Sequence, residues 1–298
     1  MSSISRKTVI LGAGLLGGSV GLAMRKRELA DAIHVWSPSP STRASCEEAD
    51  WCDVVHEDPL EACNEADLVV LCAPVDKIPA LMEEIAPVCG EGCLITDVGS
   101  TKASIAAMGN RLFPAQAPAS FIGSHPMAGS EKSGLSFADA DLFSDKTCIL
   151  TPTSDAVSGI LRLRSFWESL GMVLFECPPD EHDQIVAHVS HLPHAVAAIL
   201  CLSLSKAPEN WIRCAGAGLR DTTRIAGGDP QLWAAIFRAN EHAVRDALDH
   251  MKQSLATWEA SLDAPGDTEL LSFLETARSF RSRLETENGR HPPNARLP

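Results

Sequence analysis

Four short segments of this 298-residue chain bring together side chains that move protons and grip carboxylates. The densest is GSHPMAGSEKSG, Gly123 to Gly134, where His125 is fixed before a proline and Ser130, Glu131 and Lys132 share one glycine-rich loop. Such a loop loses much backbone freedom on ordering, which a bound ligand offsets. His125 is the natural group to take up a proton near neutral pH. DVGSTK, Asp97 to Lys102, offers Ser100 either as a ligand contact or as a cap for a following helix. HVSHLPHAVA, His188 to Ala197, sets His188, His191 and His194 at three-residue steps, roughly along one side of a helix. Pro193 leaves the start of that helix open. We expect one of these histidines to meet substrate and the others to be hydrogen-bonded in structural roles. GLRDTTRIAGGDPQLW, Gly218 to Trp233, places Arg220, Asp221 and Arg224 near a turn. Arginine presents a planar fork matched to a carboxylate, though a surface ion pair is the other reading for either one.

A second kind of site stands near the amino terminus. GAGLLGG, Gly12 to Gly18, follows an apolar strand pattern and opens a helix, the context in which a GxGxxG match signals a dinucleotide. Gly12 permits the tight turn, Gly14 lets the backbone approach a pyrophosphate, and Gly17 allows helix and sheet to pack closely. An acidic residue commonly follows the second strand, where it binds the adenosine ribose of NAD. Here the segment reads Trp36-Ser37-Pro38-Ser39, with Arg43 beyond it. This tilts the expectation toward NADP or dual use, against the alternative that Arg43 only begins a solvated helix.

These segments need a scaffold. Lys7 to Leu11, Ile33 to Ser37, Ala66 to Ala73 and Cys93 to Val98 read as strands, and Ser120 to Ser124, Thr147 to Thr151 and Met172 to Glu176 as further candidates. Helical stretches such as Ser19 to Arg27 and Asp76 to Ile85 lie between the early ones, so an α/β doubly wound parallel sheet is expected. After Pro178-Pro179 the pattern turns helical: a long run from His182, then Leu232 to Leu262 and Glu269 to Thr286. The expected organisation is a Rossmann-type domain over 1–178, an all-α domain over 179–287, and a disordered tail over 288–298.

Composition excludes several classes. A net charge of −14 argues against nucleic acid, whose phosphates require a clustered basic surface. No apolar run reaches the ~18–20 residues that a bilayer demands, and the first residues lack a signal-peptide pattern, so a cytoplasmic protein without membrane contact is expected. Ten cysteines are scattered without a CxxC pair, and Cys72, Cys148 and Cys201 fall in apolar segments, so reduced, mostly buried thiols and no metal are expected.

Taken together, GAGLLGGS, DVGSTK, GSHPMAGSEKSG, SHLPHAVA and RDTTRIAGGDPQLW resemble the prephenate and arogenate dehydrogenase family over nearly the whole chain. The resemblance implies a homodimer formed through the helical half and an NAD(P)+-dependent oxidative decarboxylation of prephenate, with arogenate as the alternative. It implies that His125 accepts a hydrogen bond from the substrate hydroxyl and that Ser100 orients both. It further implies that Arg224 anchors a carboxylate, that His191 contacts the substrate side chain with Asp221 orienting it, and that Ser130 and Trp233 belong to the substrate set. Trp233 matches a position that in the family can approach the neighbouring subunit's site. Cofactor contacts are expected from Gly12, Gly14, Leu15, Leu16, Gly17, Ser37, Ser39, Arg43, Ala73 and Pro74. The Ser37 region departs from members that carry an acid there. From the chain length, no added regulatory or mutase domain is expected. Other two-domain hydroxyacid or imine oxidoreductases, and a non-enzymatic dinucleotide sensor, are the rival readings.

Overall fold

The computed structural model describes residues 4–129, 132–152 and 157–288. Strands β1 (Ser5–Leu11), β2 (Ala30–Trp36), β3 (Val54–His56), β4 (Leu68–Leu71), β5 (Leu94–Asp97) and β6 (Ser120–Phe121) form one parallel sheet in the order β3-β2-β1-β4-β5-β6. The order turns back at β1 and β4, and the crevice beyond the strand carboxyl ends at such a reversal is where ligands bind in these sheets. Successive residues of β1 point to opposite faces. Ile10 joins Val20, Met24, Phe143 and Trp167 on one side, while Val9 and Leu11 join Ile78, Met82, Ile85 and Ile105 on the other. Both faces are therefore covered, which is why the strands read as unbroken apolar runs.

The covering helices are α1 (Leu15–Lys26), α2 (Pro40–Glu47), α3 (Pro59–Cys63), α4 (Ile78–Ile85), α5 (Ala103–Leu112) and α6 (Val157–Ser169). Their starts follow local chemistry. Ser39 and Asp58 each accept a backbone N–H in the first turn of α2 and α3, and each of those helices begins with a proline.

The later strands depart from the single parallel sheet expected. Ile122 still donates to Ile95 at 3.0 Å, but β7 (Gly123–Pro126) leaves and pairs antiparallel with β8 (Thr147–Thr151). β9 (Val173–Glu176) then adds parallel to β8, giving a second sheet of three strands. The switch occurs at Gly123, where a Cβ would stand 2.5 Å from Thr151 Oγ1 and 3.2 Å from Lys102 Cδ. Any larger residue would push the strand off its neighbours.

The helical half also differs from expectation at two breaks. α7 (Pro179–Val186), a π turn (Ala187–His191) and α8 (Leu192–Leu204) form one continuous run, with the π turn immediately ahead of Pro193. Proline lacks the N–H that an α turn needs, and a wider turn before it absorbs the loss. By length and composition this run, Pro179–Leu204, is apolar enough to cross a membrane, contrary to the expectation that no segment is; 28% of its apolar 18-residue window is buried inside the chain. The run expected from Leu232 to Leu262 divides at Asn240 into α10 (Pro230–Ala239) and α11 (Glu241–Asp263). The short α9 (Ala217–Thr223) precedes α10, and α12 (Thr268–Asn288) ends the described chain. The tail expected over 288–298 lies, from residue 289, outside the described residues.

By compactness the chain divides into units 1–241 and 242–298. The histidine-bearing helices α7 and α8 thus belong to the same unit as both sheets. In the second unit Trp258 packs on Phe273, ring centroids 5.3 Å apart. All ten cysteines are free, and six of them are buried. Cys201 is exposed on α8, against the expectation of a buried thiol, because the apolar residues around it also face outward: Ile199 and Leu202 are 56% and 63% exposed.

Candidate active site

The turn from β1 into α1 has the shape of a phosphate cradle. Gly12 has φ +103°, and a Cβ there would lie 2.7 Å from the carbonyl oxygen of Cys72. A Cβ on Gly17 would lie 1.9 Å from Gly12's own carbonyl oxygen. Around Gly14, by contrast, the space is open, with no atom within 4 Å of a built Cβ. Gly14 caps α1, whose first turn, beginning at Leu15 and Leu16, carries no acidic side chain. Free N–H groups and the helix dipole thus face an open concavity suited to a pyrophosphate. Ala73 and Pro74 follow β4 on the adjacent rim, Pro74 exposed.

At the end of β2, Ser37 is buried and Arg43 Nη1 donates to its carbonyl oxygen at 2.7 Å. Ser39 Oγ accepts Thr42 N–H at 3.3 Å and bonds Ser41 Oγ at 2.9 Å. Hydroxyls and a fixed guanidinium occupy the place where a carboxylate would exclude a 2′-phosphate.

On the other side of the crevice, β7 carries His125, 7% exposed. Its Nδ1 lies 2.8 Å from His182 Nε2, and His182 Nδ1 lies 2.8 Å from Asp183 Oδ1. Burial pushes both histidines below the usual value; for His125 the neighbouring His182 and Lys102 add to it, and for His182 Asp183 opposes it. Asp183 is itself pushed up by burial. The hydrogen bonds from His182 and from the backbone of Ala103 and Lys102 outweigh that and hold it ionised, below its ordinary range. An ionised carboxylate only accepts, so His182 carries its proton on Nδ1 and accepts at Nε2. His125 must then donate through Nδ1, which leaves the lone pair on Nε2.

Asp183 does a second job. Its Oδ1 accepts the N–H of Lys102 at 2.7 Å and its Oδ2 that of Ala103 at 2.9 Å, so it caps α5 from across the cleft. The β5–α5 turn that carries Ser100 is thereby tied to α7. Below it, Lys102 Nζ pairs with Asp97, both side chains fully buried. Asp97 also accepts the N–H of Gly99 at 2.8 Å and of Ser124 at 3.3 Å, and Ser124 Oγ donates to the Asp97 carbonyl at 2.6 Å. A buried ion pair with its remaining valences filled holds the ends of β5 and β7 in register.

The three histidines of the HVSHLPH segment separate. His188 is exposed and its Nδ1 meets the carbonyl oxygen of Gln184 at 2.9 Å, whereas His191 and His194 are buried. Within the π turn a residue advances less than 100°, so three-residue steps no longer keep to one face. Burial lowers His191 to about 4 and lowers His194 as well. His194 stacks on Trp233, centroids 3.5 Å apart and 16° between planes, while His191 meets Trp233 edge-on at 6.2 Å. Trp233 thus packs on histidines of its own chain. The partner of His191 Nδ1 is Asn240 Nδ2 at 3.2 Å, not Asp221, which is exposed on α9. Arg224 is exposed at the turn Arg224–Gly227, packed beside α8. Ser130 lies outside the described residues.

His125, His191 and the Ser100 turn are therefore gathered at one crevice, with the Gly12–Gly17 cradle at the ends of the same strands. His182, Asp183, Lys102 and Asn240 belong to it too, and the sequence reading had given none of them a role. The visible signal was the His-Asp pair at the head of α7, in a turn whose Asp180 and Glu181 made it look like an ordinary acidic helix start.

A dinucleotide cradle facing a buried, neutral histidine is the site of a nicotinamide-dependent oxidoreductase. Family models narrow the class. Residues 20–176 match the nucleotide-binding domain of prephenate dehydrogenase, and residues 178–276 match its dimerisation domain. The chain belongs to the prephenate dehydrogenase family. It is 30% identical to prephenate dehydrogenase of Bacillus subtilis over 95% of this chain and 77% of that one. Among solved structures, prephenate dehydrogenase from Aquifex aeolicus, in complex with hydroxyphenyl propionate and NAD+, superposes with a TM-score of 0.88 at 27% identity, covering 95% of this chain and 99% of that one. Synechocystis arogenate dehydrogenase superposes with a TM-score of 0.80 at 30% identity, covering 93% and 99%.

Proposed function

We propose that this protein oxidises prephenate with NAD(P)+ and releases carbon dioxide, giving 4-hydroxyphenylpyruvate in tyrosine biosynthesis. The observation that carries the reading is the order of hydrogen bonds His125–His182–Asp183, which leaves His125 Nε2 a proton acceptor beside the dinucleotide crevice. When bound, the nicotinamide supplies the hydride acceptor. His125 Nε2 accepts the hydrogen bond of the substrate hydroxyl and takes its proton as the carbon beneath is oxidised. The imidazolium so formed still donates from Nδ1 toward His182, whose other nitrogen faces the Asp183 carboxylate, so the new charge is stabilised without moving a heavy atom. Ser100 orients the hydroxyl, and Arg224 holds a substrate carboxylate. His191 contacts the side chain on the ring carbon opposite the hydroxyl, and Ser130 and Trp233 complete that wall. Loss of the ring carboxylate aromatises the product, so alignment is the larger part of the protein's work.

Arogenate is the second reading, favoured by the likeness to the Synechocystis enzyme. For the cofactor, Ser37 and Arg43 at the end of β2 favour NADP or dual use over strict NAD. The dimerisation model over residues 178–276 and the outward Ile199, Leu202, Trp211 and Ile212 favour a homodimer. That use accounts for the apolar helix Pro179–Leu204 without a membrane, in a cytoplasmic enzyme whose charge of −14 disfavours nucleic acid. The test is turnover of prephenate and arogenate, each with NAD+ and NADP+, followed by absorbance of the reduced cofactor. Turnover in any of the four supports the reaction class, and silence in all four with cofactor still bound refutes it.

A further inference from the structure

Asn240 interrupts the helical run between α10 and α11, and its side chain is buried rather than exposed as at most helix ends. The amide orientation is fixed, because Nδ2 donates to the backbone carbonyl of Asp183 at 2.8 Å and an amide oxygen could not. The same Nδ2 faces His191 Nδ1 at 3.2 Å, so that ring nitrogen is the acceptor. A neutral His191 must then hold its proton on Nε2. That atom is buried and has no partner among the described residues, although the side chain is 1% exposed. An orphaned buried donor is costly, and a ligand arriving at the site is one way that cost is offset. Its surroundings are the crevice: His191 lies close enough to His125 to depress its protonation, and Trp233 and Phe237 present their edges and faces at 6.2 and 6.4 Å.

We propose that Asn240 is a positioning residue that locks His191 as an Nε2–H donor, and that this donor reads a keto oxygen on the substrate side chain in preference to an ammonium. The inference rests on the proposed activity. A donor meets the carbonyl of a keto acid, but it faces the N–H groups of an amino acid with nothing to offer. One residue thus converts a symmetric ring into a one-way reader of hydrogen-bond polarity.

Ring-nitrogen NMR of the unsubstituted protein reports the tautomer directly, with Nε2–H expected; Nδ1–H overturns the proposal. Kinetics then separate positioning from packing. Asn240→Leu and His191→Ala are each expected to raise KM for prephenate about tenfold, the worth of one hydrogen bond, leaving KM for the cofactor unchanged. The double variant is expected to be no worse than the poorer single. Additive effects would mean that Asn240 acts only through the Asp183 carbonyl, and would overturn the proposal. Asn240→Asp supplies an acceptor and forces the proton onto Nδ1, so the preference for prephenate over arogenate is expected to fall; an unchanged preference refutes the keto reading. An unsubstituted enzyme that turns over neither substrate defeats the proposed activity, and with it the keto reading, while the tautomer still stands or falls by NMR.

Discussion

Asp183 and His125 never touch, yet the carboxylate sets which nitrogen of the imidazole is basic, through one intervening ring at 2.8 Å on either side. Because the same carboxylate caps α5, the chemistry of β7 and the placement of Ser100 depend on a single side chain from α7.

His125→Asn keeps a small polar side chain but has no imidazole to accept the hydroxyl proton. Turnover is expected to fall on the order of a hundredfold or more, the usual worth of a positioned general base. Cofactor affinity, measured by fluorescence titration of the reduced nucleotide, is expected to stay near wild type because the cradle is untouched.

The pH profile follows from the direction in which His125 is shifted. Burial, with His182 and Lys102 nearby, holds it well below 6.5, so the active neutral form persists into mild acid. The acid limb of kcat/KM is expected below pH 6.5. A limb at or above that value would mean that the ring is solvated and not coupled to His182 as the geometry requires.

Asp183→Asn removes the charge but keeps one acceptor oxygen. A hydrogen bond to a charged group contributes about 1.5–3 kcal/mol, and a loss of that order in urea unfolding at pH 7 is expected. The sign with pH is set by the depressed carboxyl. Its contribution is present above the unfolded value near 3.8 and is lost as pH falls through the lower folded value. The gap between variant and parent should hold from pH 7 to about 4 and close below it.

Arg224→Ala tests the carboxylate anchor. Arg224 is exposed in the single chain, so its loss is expected to act on binding and not on folding. KM for prephenate should rise on the order of tenfold or more with kcat little changed, as when one charge-assisted hydrogen bond is lost. A wild-type KM would remove Arg224 from that role.

The glycines and the strands they serve were legible because their causes are local. A φ of +103° at Gly12 and the contact at Gly17 are demands of a single turn, and GAGLLGG states them in seven letters. Pairings set by tertiary geometry were not. His125 and His182 are 57 residues apart, and nothing in either neighbourhood names the other. Asp221 looked like the partner of His191 because it is acidic and precedes the next helix. Asn240 holds that place instead, and its own break in the helix was hidden inside an amphipathic pattern that runs unbroken from Leu232 to Leu262. The strand switch at Gly123 was illegible for a similar reason: SFIGS, Ser120 to Ser124, reads as one strand, and only the packing of Thr151 and Lys102 against Gly123 divides it.

Two carboxylates beneath the crevice receive the backbone amides of Gly99, Lys102, Ala103 and Ser124. These four amides are in a turn, at a helix start and at a strand end, the places where a fold usually breathes first. Here they are bound to buried carboxylates, Asp97 for two of them and Asp183 for the other two, so they exchange with solvent only when those hydrogen bonds open. The floor of the site is therefore among the last parts of the molecule to loosen, and substrate meets a surface that does not need to be ordered on arrival.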